Sequence, residues 1–189
     1  DNIEDLMAQL RNLVGLKDVK KQVSSIMNYV RAEKRREKMG HPMNDLSLHM
    51  VFTGNPGTGK TTIARLISQI LKSIGVLKRG HMIEVTREDL VGQYVGQTGP
   101  KTLEKIKEAY GGVLFIDEAY SLYSASENDF GYEAISTLIK EMEDNRDKLV
   151  VIMAGYPSEM EQMLSMNSGI RSRIAYTVDF PDYDSEELT

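Results

Sequence analysis

The sequence contains no cysteine and no tryptophan among its 189 residues. The lack of cysteine excludes a disulfide scaffold, a thiol nucleophile and thiolate zinc or iron–sulfur sites, and it fits a reducing compartment. No apolar run approaches the ~20 residues that a membrane-spanning helix needs. The chain also opens with Asp1 to Glu4 rather than with the basic and apolar segments of a signal peptide. We therefore predict a cytoplasmic protein with no membrane partner.

Basic residues are also in the minority, with 23 Lys and Arg against 28 Asp and Glu, for a net charge of −5. The one basic stretch, residues 31–38, is interrupted by two glutamates, which favours a solvated helix end over a nucleic-acid patch. Apolar residues make up 41% of the chain and charged residues 27%, which excludes disordered and fibrous classes. We expect a globular protein, and the charge pattern disfavours a nucleic-acid partner.

Helical and extended patterns alternate along the chain. Extended segments are predicted at residues 48–53, 81–86, 113–116, 149–154 and 174–180. Apolar residues at helical spacing predict helices at residues 19–30, 63–74, 100–110, 132–145 and 157–166. Strands separated by helices indicate an α/β fold with a parallel, doubly wound sheet. We expect residues 1–45 to form a helical segment and residues 46–183 to form the α/β subdomain.

The strongest chemical motif follows the first predicted strand. Residues 54–61 match the pattern G-x-x-x-x-G-K-[ST] in full, and a predicted helix comes next. Glycines let the backbone amides converge on a polyphosphate, and the helix presents its positive N-terminus. Lys60 would reach the β- and γ-phosphates, and the Thr61 hydroxyl would bind Mg²⁺. The predicted nucleotide-binding residues here are Asn55, Pro56, Gly57, Thr58, Gly59, Lys60, Thr61 and Thr62.

A pair of acids follows the third predicted strand. Four apolar residues, 113–116, lead directly into Asp117 and Glu118, which places both acids at the ligand-binding end of the sheet. Asp117 is predicted to hold Mg²⁺, and Glu118 to act as the base that polarises the attacking water. Capping of the next helix is the alternative for an acidic pair. A complete phosphate loop in the same chain favours the catalytic interpretation.

These motifs resemble those of a known family. Residues 54–61, 114–118 and 169–173 resemble the AAA+ ATPases, and residues 48–60, 115–122, 129–131 and 180–183 resemble the CbxX/CfxQ branch of that family. The resemblance extends over about residues 13–189. It implies a P-loop NTPase fold whose five parallel strands lie in the order 5-1-4-3-2, with helices on both faces. It also implies ATP and Mg²⁺ as ligands.

Further site residues follow from the resemblance alone. Val14, Gly15 and Leu16 match the segment that reads adenine, with a turn between helices as the alternative. Arg171 and Arg173 match the region of the arginine finger, which acts on a neighbouring subunit's nucleotide, and which of the two serves as the finger is left open. Tyr156 occupies the sensor-1 position, where its hydroxyl would bond water or phosphate. A core tyrosine is the equal alternative there.

The segment from residue 90 to residue 98 is predicted to be a functional loop. Tyr94 and Val95 are flanked by glycines and glutamines, without the period that would bury them in a helix or strand. The resemblance implies an axial pore loop that grips polypeptide, and packing of Tyr94 under its own loop is the alternative. A second pore-facing loop is expected at residues 124–131.

The resemblance implies an ATPase that assembles as a ring, with a hexamer as the expected state, and remodels a protein partner. A nucleotide-dependent assembly switch and a DNA-directed machine are the alternatives, and the acidic composition disfavours the second. Residues 184–189 have the pattern of a helix start, where the family's helical lid would begin. We therefore expect a truncated ATPase core that is mostly monomeric and hydrolyses ATP slowly by itself.

Overall fold

The computed structural model describes residues 2–42, 46–123 and 130–182. In these residues it has five strands, which are β1 (Met50–Thr53), β2 (Met82–Val85), β3 (Gly112–Ile116), β4 (Leu149–Gly155) and β5 (Tyr176–Asp179). The helices are α1 (Ile3–Arg11), α2 (Lys17–Lys38), α3 (Lys60–Ile74), α4 (Arg87–Leu90), α5 (Thr98–Ala109), α6 (Phe130–Asp144), α7 (Pro157–Met166) and α8 (Ser168–Arg171). A 3₁₀ helix, Ala119–Leu122, follows β3.

The five strands form one parallel sheet in the order β2-β3-β4-β1-β5. This order is the predicted one, and it confirms that β4 lies between the strand before the phosphate loop and the strand before the acidic pair. Thr53 at the end of β1 is in register with Gly155 of β4, and Ile116 at the end of β3 is in register with Met153. The carboxyl ends of β1, β3 and β4 therefore meet at one edge.

Two apolar layers cover the two faces of the sheet. On one face Phe52, Phe115 and Ile152 pack with the buried residues of α1, α2 and α3. On the other face Val51, Leu114 and Val151 pack with those of α5, α6 and α7. Because successive strand residues point to opposite faces, the continuous apolar strands supply both cores. Among the described helices, none has the length and apolar character that crossing a membrane would require.

Three described helices, α1, α4 and the single turn α8, lie outside the set predicted from apolar spacing. Helix α1 begins after Asn2, whose side chain accepts a hydrogen bond of 2.9 Å from the Asp5 amide, and it buries Leu6 and Leu10. Its nine residues are too short for a clear period, so packing against α3 stabilises it rather than its own helix propensity. Helix α4 is a single turn with a capping box at Thr86.

His49, the residue directly before β1, forms hydrogen bonds with several elements. The His49 side chain is wholly buried; its Nδ1 accepts a hydrogen bond of 3.0 Å from the Val151 amide, and its Nε2 lies 2.8 Å from the Met142 carbonyl. Its own carbonyl accepts a hydrogen bond from the Ala175 amide. Nε2 must therefore carry the proton of a neutral ring. Burial lowers the pKa of His49 below its ordinary 6.5 and favours this neutral form.

Candidate functional site

A cleft of about 480 Å³ opens at the edge where β1, β3 and β4 end. Its volume is in the range of small-molecule sites. The cleft is lined by Gly54, Pro56, Gly57, Thr58, Gly59, Lys60, Thr61, Thr62, Phe115, Asp117, Glu118, Gly155 and Tyr156. The structure thus brings the predicted phosphate loop and the predicted acids into a single site. Asn55 belongs to the loop but does not line the cleft.

The phosphate loop needs glycine at both of its ends. A side chain at Gly54, whose φ is +152°, would lie 2.7 Å from the carbonyl oxygen of Phe180, the residue after β5. Gly59 has φ +97° and stands directly before α3, where a Cβ would approach the Leu16 Cδ1 to 2.9 Å. The loop also closes on itself, because the Thr58 hydroxyl donates a 2.7 Å hydrogen bond to the Asn55 carbonyl. Its backbone is therefore held from both sides.

Lys60 is the first residue of α3 and lies over the loop. Its ammonium donates hydrogen bonds to the Gly54 carbonyl at 2.5 Å and to the Asn55 carbonyl at 3.0 Å. Burial lowers the pKa of Lys60, and the nearby Asp117 carboxylate partly opposes that shift. The cleft therefore contains a cation next to a carboxylate, which is the charge arrangement that a metal-bound polyphosphate requires.

The two acids stand at the end of β3 in different environments. Asp117 is half-buried, and its Oδ1 accepts a 3.0 Å hydrogen bond from the Glu118 amide. Glu118 is exposed and has φ +51° and ψ +45°, a left-handed conformation that is uncommon for residues other than glycine. Both the Ser121 amide and the Ser121 hydroxyl donate to the Glu118 carbonyl. The turn thus holds Glu118 in a conformation that keeps its side chain at the cleft.

The sequence profile of the ATPase family associated with various cellular activities (AAA) matches residues 50–181. The chain belongs to this family. Protein CbxX (chromosomal) of Cupriavidus necator is 54% identical over 188 residues, which cover 98% of this chain and 59% of that protein. The chloroplastic ribulose bisphosphate carboxylase/oxygenase activase of Cyanidioschyzon merolae is 50% identical over 188 residues, which cover 98% of this chain and 64% of that protein.

A third AAA relative, stage V sporulation protein K of Bacillus subtilis, is 45% identical over 186 residues, with 98% of this chain and 58% of that protein covered. These relatives confirm the resemblance to the CbxX/CfxQ branch. The chain spans roughly three fifths of the length of each of these three relatives.

Three lining residues of this AAA cleft, beyond the predicted nucleotide-contacting set, come from the strand ends. Gly54 directly follows β1, and Gly155 is the last residue of the neighbouring strand β4. Phe115 lies in β3, two residues before Asp117. A Cβ on Gly155 would lie 2.9 Å from the Tyr120 ring, so glycine lets that ring approach the sheet. The predicted strand order was the signal that could have identified them, since adjacent parallel strands end at the same edge.

Tyr156 lies in the cleft wall and is only half-buried. Its ring centroid is 6.2 Å from that of Tyr120, at a tilt of 42°. This position argues against the alternative of a core tyrosine, because the side chain borders the cleft rather than either apolar layer.

The predicted adenine segment adjoins the phosphate loop without lining the cleft. Leu16 is buried, with φ +56°, and its side chain packs where a Cβ on Gly59 would be. Gly15 has φ +70°, so two successive left-handed residues turn the chain from α1 into α2. Val14 is 71% exposed. The turn thus presents Val14 to solvent and anchors Leu16 against the loop.

The two candidate arginine fingers lie away from the cleft of their own chain. Arg171 ends α8 and is exposed. Arg173 is half-buried; its Nη1 donates to the Gly169 carbonyl at 2.9 Å, and its Nε lies 3.8 Å from the Glu143 carboxylate. The cleft of this protomer is therefore lined by neither candidate.

Tyr94 and Val95 lie between α4 and α5 and project into solvent, 67% and 88% exposed. This exposure is inconsistent with the alternative in which Tyr94 packs under its own loop. Of the second predicted loop, residues 124–129 lie outside the described part of the chain, and Phe130 and Gly131 begin α6.

Proposed function

We propose that this AAA domain binds and hydrolyses Mg²⁺-ATP in the cleft, assembles as a ring and uses the cycle to remodel a protein partner. The observation that carries the proposal is the single cleft that joins the phosphate loop, Asp117 and Glu118. Phosphoryl transfer needs positioning and charge stabilisation more than covalent chemistry. This cleft has amide donors, one ammonium and two carboxylates at the ends of three rigid strands.

Phosphate binding is assigned to the loop and Lys60. The Lys60 ammonium contacts two carbonyls of the loop, and we propose that it exchanges them for β- and γ-phosphate oxygens when ATP binds. Anionic oxygens are stronger acceptors for an ammonium than carbonyls are. The segment formed by Val14, Gly15 and Leu16 would then meet the adenine, because Leu16 already packs against the loop.

Thr61 and Asp117 are the proposed Mg²⁺ ligands. A hydroxyl and a carboxylate line the same cleft, and this oxygen set fits an ion that takes few protein ligands and keeps phosphate oxygens and waters. Within residues 2–42, 46–123 and 130–182, no group of three or more His, Cys, Asp or Glu side chains could form a metal cage by itself. When bound, Mg²⁺ would neutralise developing charge on the phosphates.

Glu118 is the proposed base for the attacking water. Its carboxylate is exposed at the cleft, where it can accept a proton from a water aligned with the γ-phosphate. The strained backbone favours this role, since left-handed residues other than glycine concentrate at functional sites. The Tyr156 hydroxyl, whose residue borders the same cleft, would hold that water or the phosphate.

We assign completion of the site to a neighbouring subunit. Arg173, with Arg171 beside it, would supply its guanidinium to the next protomer's γ-phosphate, a role supported by the absence of both side chains from the lining of their own cleft. Such a site requires a closed ring, for which we propose a hexamer. The alternative is a switch whose output is assembly itself. Assembly-dependent phosphate release favours the motor, whereas assembly without turnover favours the switch.

The protein-remodelling part rests on the exposed Tyr94 and Val95. An aromatic and an aliphatic side chain can grip varied polypeptide by apolar contact without reading its sequence. One relative is named as an activase of ribulose bisphosphate carboxylase/oxygenase, which is itself a protein. We propose a protein partner for this chain as well.

A melting experiment tests nucleotide binding. ATP and Mg²⁺ at ~100 times the dissociation constant should stabilise the native state by ~2.7 kcal/mol and raise the melting temperature by roughly 5–10 °C. Lys60→Ala should lose most of this shift, because the ammonium is lost from the phosphate site. Gln69→Ala, on the outer side of α3 and outside the cleft, is the control that should keep it. An equal shift in the Lys60→Ala protein would contradict the assignment.

A further inference from the structure

The loop that carries Tyr94 is closed at its base by hydrogen bonds. The Gly92 amide donates to the buried Thr98 hydroxyl at 3.0 Å, and the Thr102 hydroxyl donates to the Leu90 carbonyl at 2.8 Å. The Lys101 ammonium donates to the Glu88 and Val91 carbonyls. The first turns of α5 therefore fasten the chain on the N-terminal side of the loop.

The Gln97 side chain also fixes the tip of the loop, at Gln93 and Tyr94. The Gln97 Oε1 accepts hydrogen bonds from two successive amides, Gln93 at 3.3 Å and Tyr94 at 3.2 Å, while the Gln97 amide donates to the Tyr94 carbonyl at 3.2 Å. Gln97 stands at the start of α5 and makes no side-chain cap to that helix. Its side chain is thus directed back across the loop.

Glycines make this arrangement possible. A Cβ on Gly92 would lie 2.5 Å from the Gln97 Cβ, so only glycine lets the two ends of the loop approach this closely. Gly96 has φ +84° and turns the chain back after Val95. With both ends and the tip fixed, Tyr94 and Val95 are the side chains that project.

We propose that Gln97 is the positioning residue of this loop: its amide oxygen holds the backbone so that Tyr94 and Val95 are presented to the polypeptide. The inference rests on the proposed function, because it assumes that Tyr94 contacts substrate. A loop fixed before binding loses less conformational entropy when it grips a chain. A freely moving tyrosine would lose more conformational entropy each time it contacts the polypeptide.

Hydrogen exchange tests the geometry. Each side-chain bond to Gln97 is a neutral hydrogen bond at an exposed site, so Gln97→Leu should speed exchange of the Gln93 and Tyr94 amides roughly two- to fivefold. Exchange at Gly92 should not change, since its partner is Thr98. Gln97→Glu keeps an acceptor oxygen and should retain the protection. Equal exchange in the leucine variant and the unmodified chain would overturn the proposal.

A fluorescent reporter gives a second measure of loop order. Because the sequence contains no tryptophan, Tyr94→Trp supplies a single tryptophan at the tip, which can be excited selectively beside the tyrosines. Adding Gln97→Leu should increase the amplitude of fast anisotropy decay, whereas adding Gln97→Glu should not. Gln93→Leu makes the same chemical change in the same loop, and no hydrogen bond of the Gln93 side chain is present in the described residues. If Gln93→Leu loosens the tip as much as Gln97→Leu does, the specific role of Gln97 is wrong.

Substrate capture tests the consequence. The probe is fluorescently labelled, carboxymethylated α-lactalbumin, an unfolded polypeptide, captured by the assembled protein in ATP with Glu118→Gln present in every sample. Gln97→Leu should raise the half-saturating probe concentration several-fold at unchanged maximal capture, and Gln97→Glu should restore it. Loosening of the loop without any change in capture would overturn the positioning role.

The same assay separates failure of the proposed function from failure of this inference. If Tyr94→Ala captures the probe normally, the tyrosine does not grip polypeptide and the proposed remodelling mechanism fails. If Tyr94→Ala loses capture while Gln97→Leu does not, gripping stands and the role of Gln97 fails.

Discussion

Replacement of Gly59 by alanine tests the contact between the phosphate loop and the N-terminal segment. The glycine has φ +97°, and a new Cβ would lie 2.9 Å from the Leu16 Cδ1. Left-handed backbone costs a non-glycine residue ~1–2 kcal/mol, partly offset by the ~0.4–1 kcal/mol that alanine gains by restricting the unfolded chain. The close contact adds roughly 1 kcal/mol, because the buried Leu16 side chain would have to shift to accommodate the new Cβ.

Gly57→Ala is the matched control. Gly57 also has a left-handed φ, +77°, but no atom lies within 4 Å of the position its Cβ would take. We therefore expect Gly57→Ala to lower the free energy of unfolding by ~1 kcal/mol and Gly59→Ala by ~2 kcal/mol. In a Leu16→Ala background the contact is absent, so the cost of Gly59→Ala should fall to that of Gly57→Ala.

Urea unfolding followed by circular dichroism measures these differences for all variants at equilibrium. The prediction is a coupling of ~1 kcal/mol between Leu16 and Gly59, since residues in contact deviate from additivity. Additivity to within ~0.3 kcal/mol would refute the reasoning. The turn before α2 would then be independent of the phosphate loop.

Two further predictions concern the subunit interface and His49. In the assembled protein Arg173→Ala should keep ATP binding and reduce hydrolysis ~10³-fold or more, and mixing it with Lys60→Ala should restore part of the activity measured by phosphate release. Loss of ATP binding would indicate a structural role for Arg173 instead. His49 is buried neutral with a lowered pKa, so its contribution to the free energy of unfolding is complete above pH ~6.5 and declines as pH falls below it. Urea unfolding at several pH values should show a smaller decline for His49→Gln, and an identical decline would contradict this.

The phosphate loop and the acidic pair could be predicted from the sequence because their chemistry is local. The loop's glycines and Lys60 are consecutive, and Asp117 directly follows an apolar strand. The strand order required the family resemblance, since hydrophobic periods do not specify which parallel strands are neighbours.

Contacts between distant segments could not be predicted in this way. Leu16 and Gly59 are far apart in sequence, and nothing in their neighbouring residues indicates that they touch. Gln97 looks like any exposed polar residue until the loop's backbone directions are known, because its role depends on two amides pointing at one oxygen. The half-buried position of Tyr156 likewise depends on β4 lying between β1 and β3.

The central claim is that the cleft binds ATP and that Glu118 activates the attacking water. The most direct measurement is phosphate release at saturating Mg²⁺-ATP by the assembled protein and by its Glu118→Gln variant, with bound nucleotide counted on the same preparations. We predict stoichiometric ATP in both and turnover that falls ~10²- to 10⁴-fold in the glutamine variant, the usual contribution of a general base. Unchanged hydrolysis in Glu118→Gln would contradict the account.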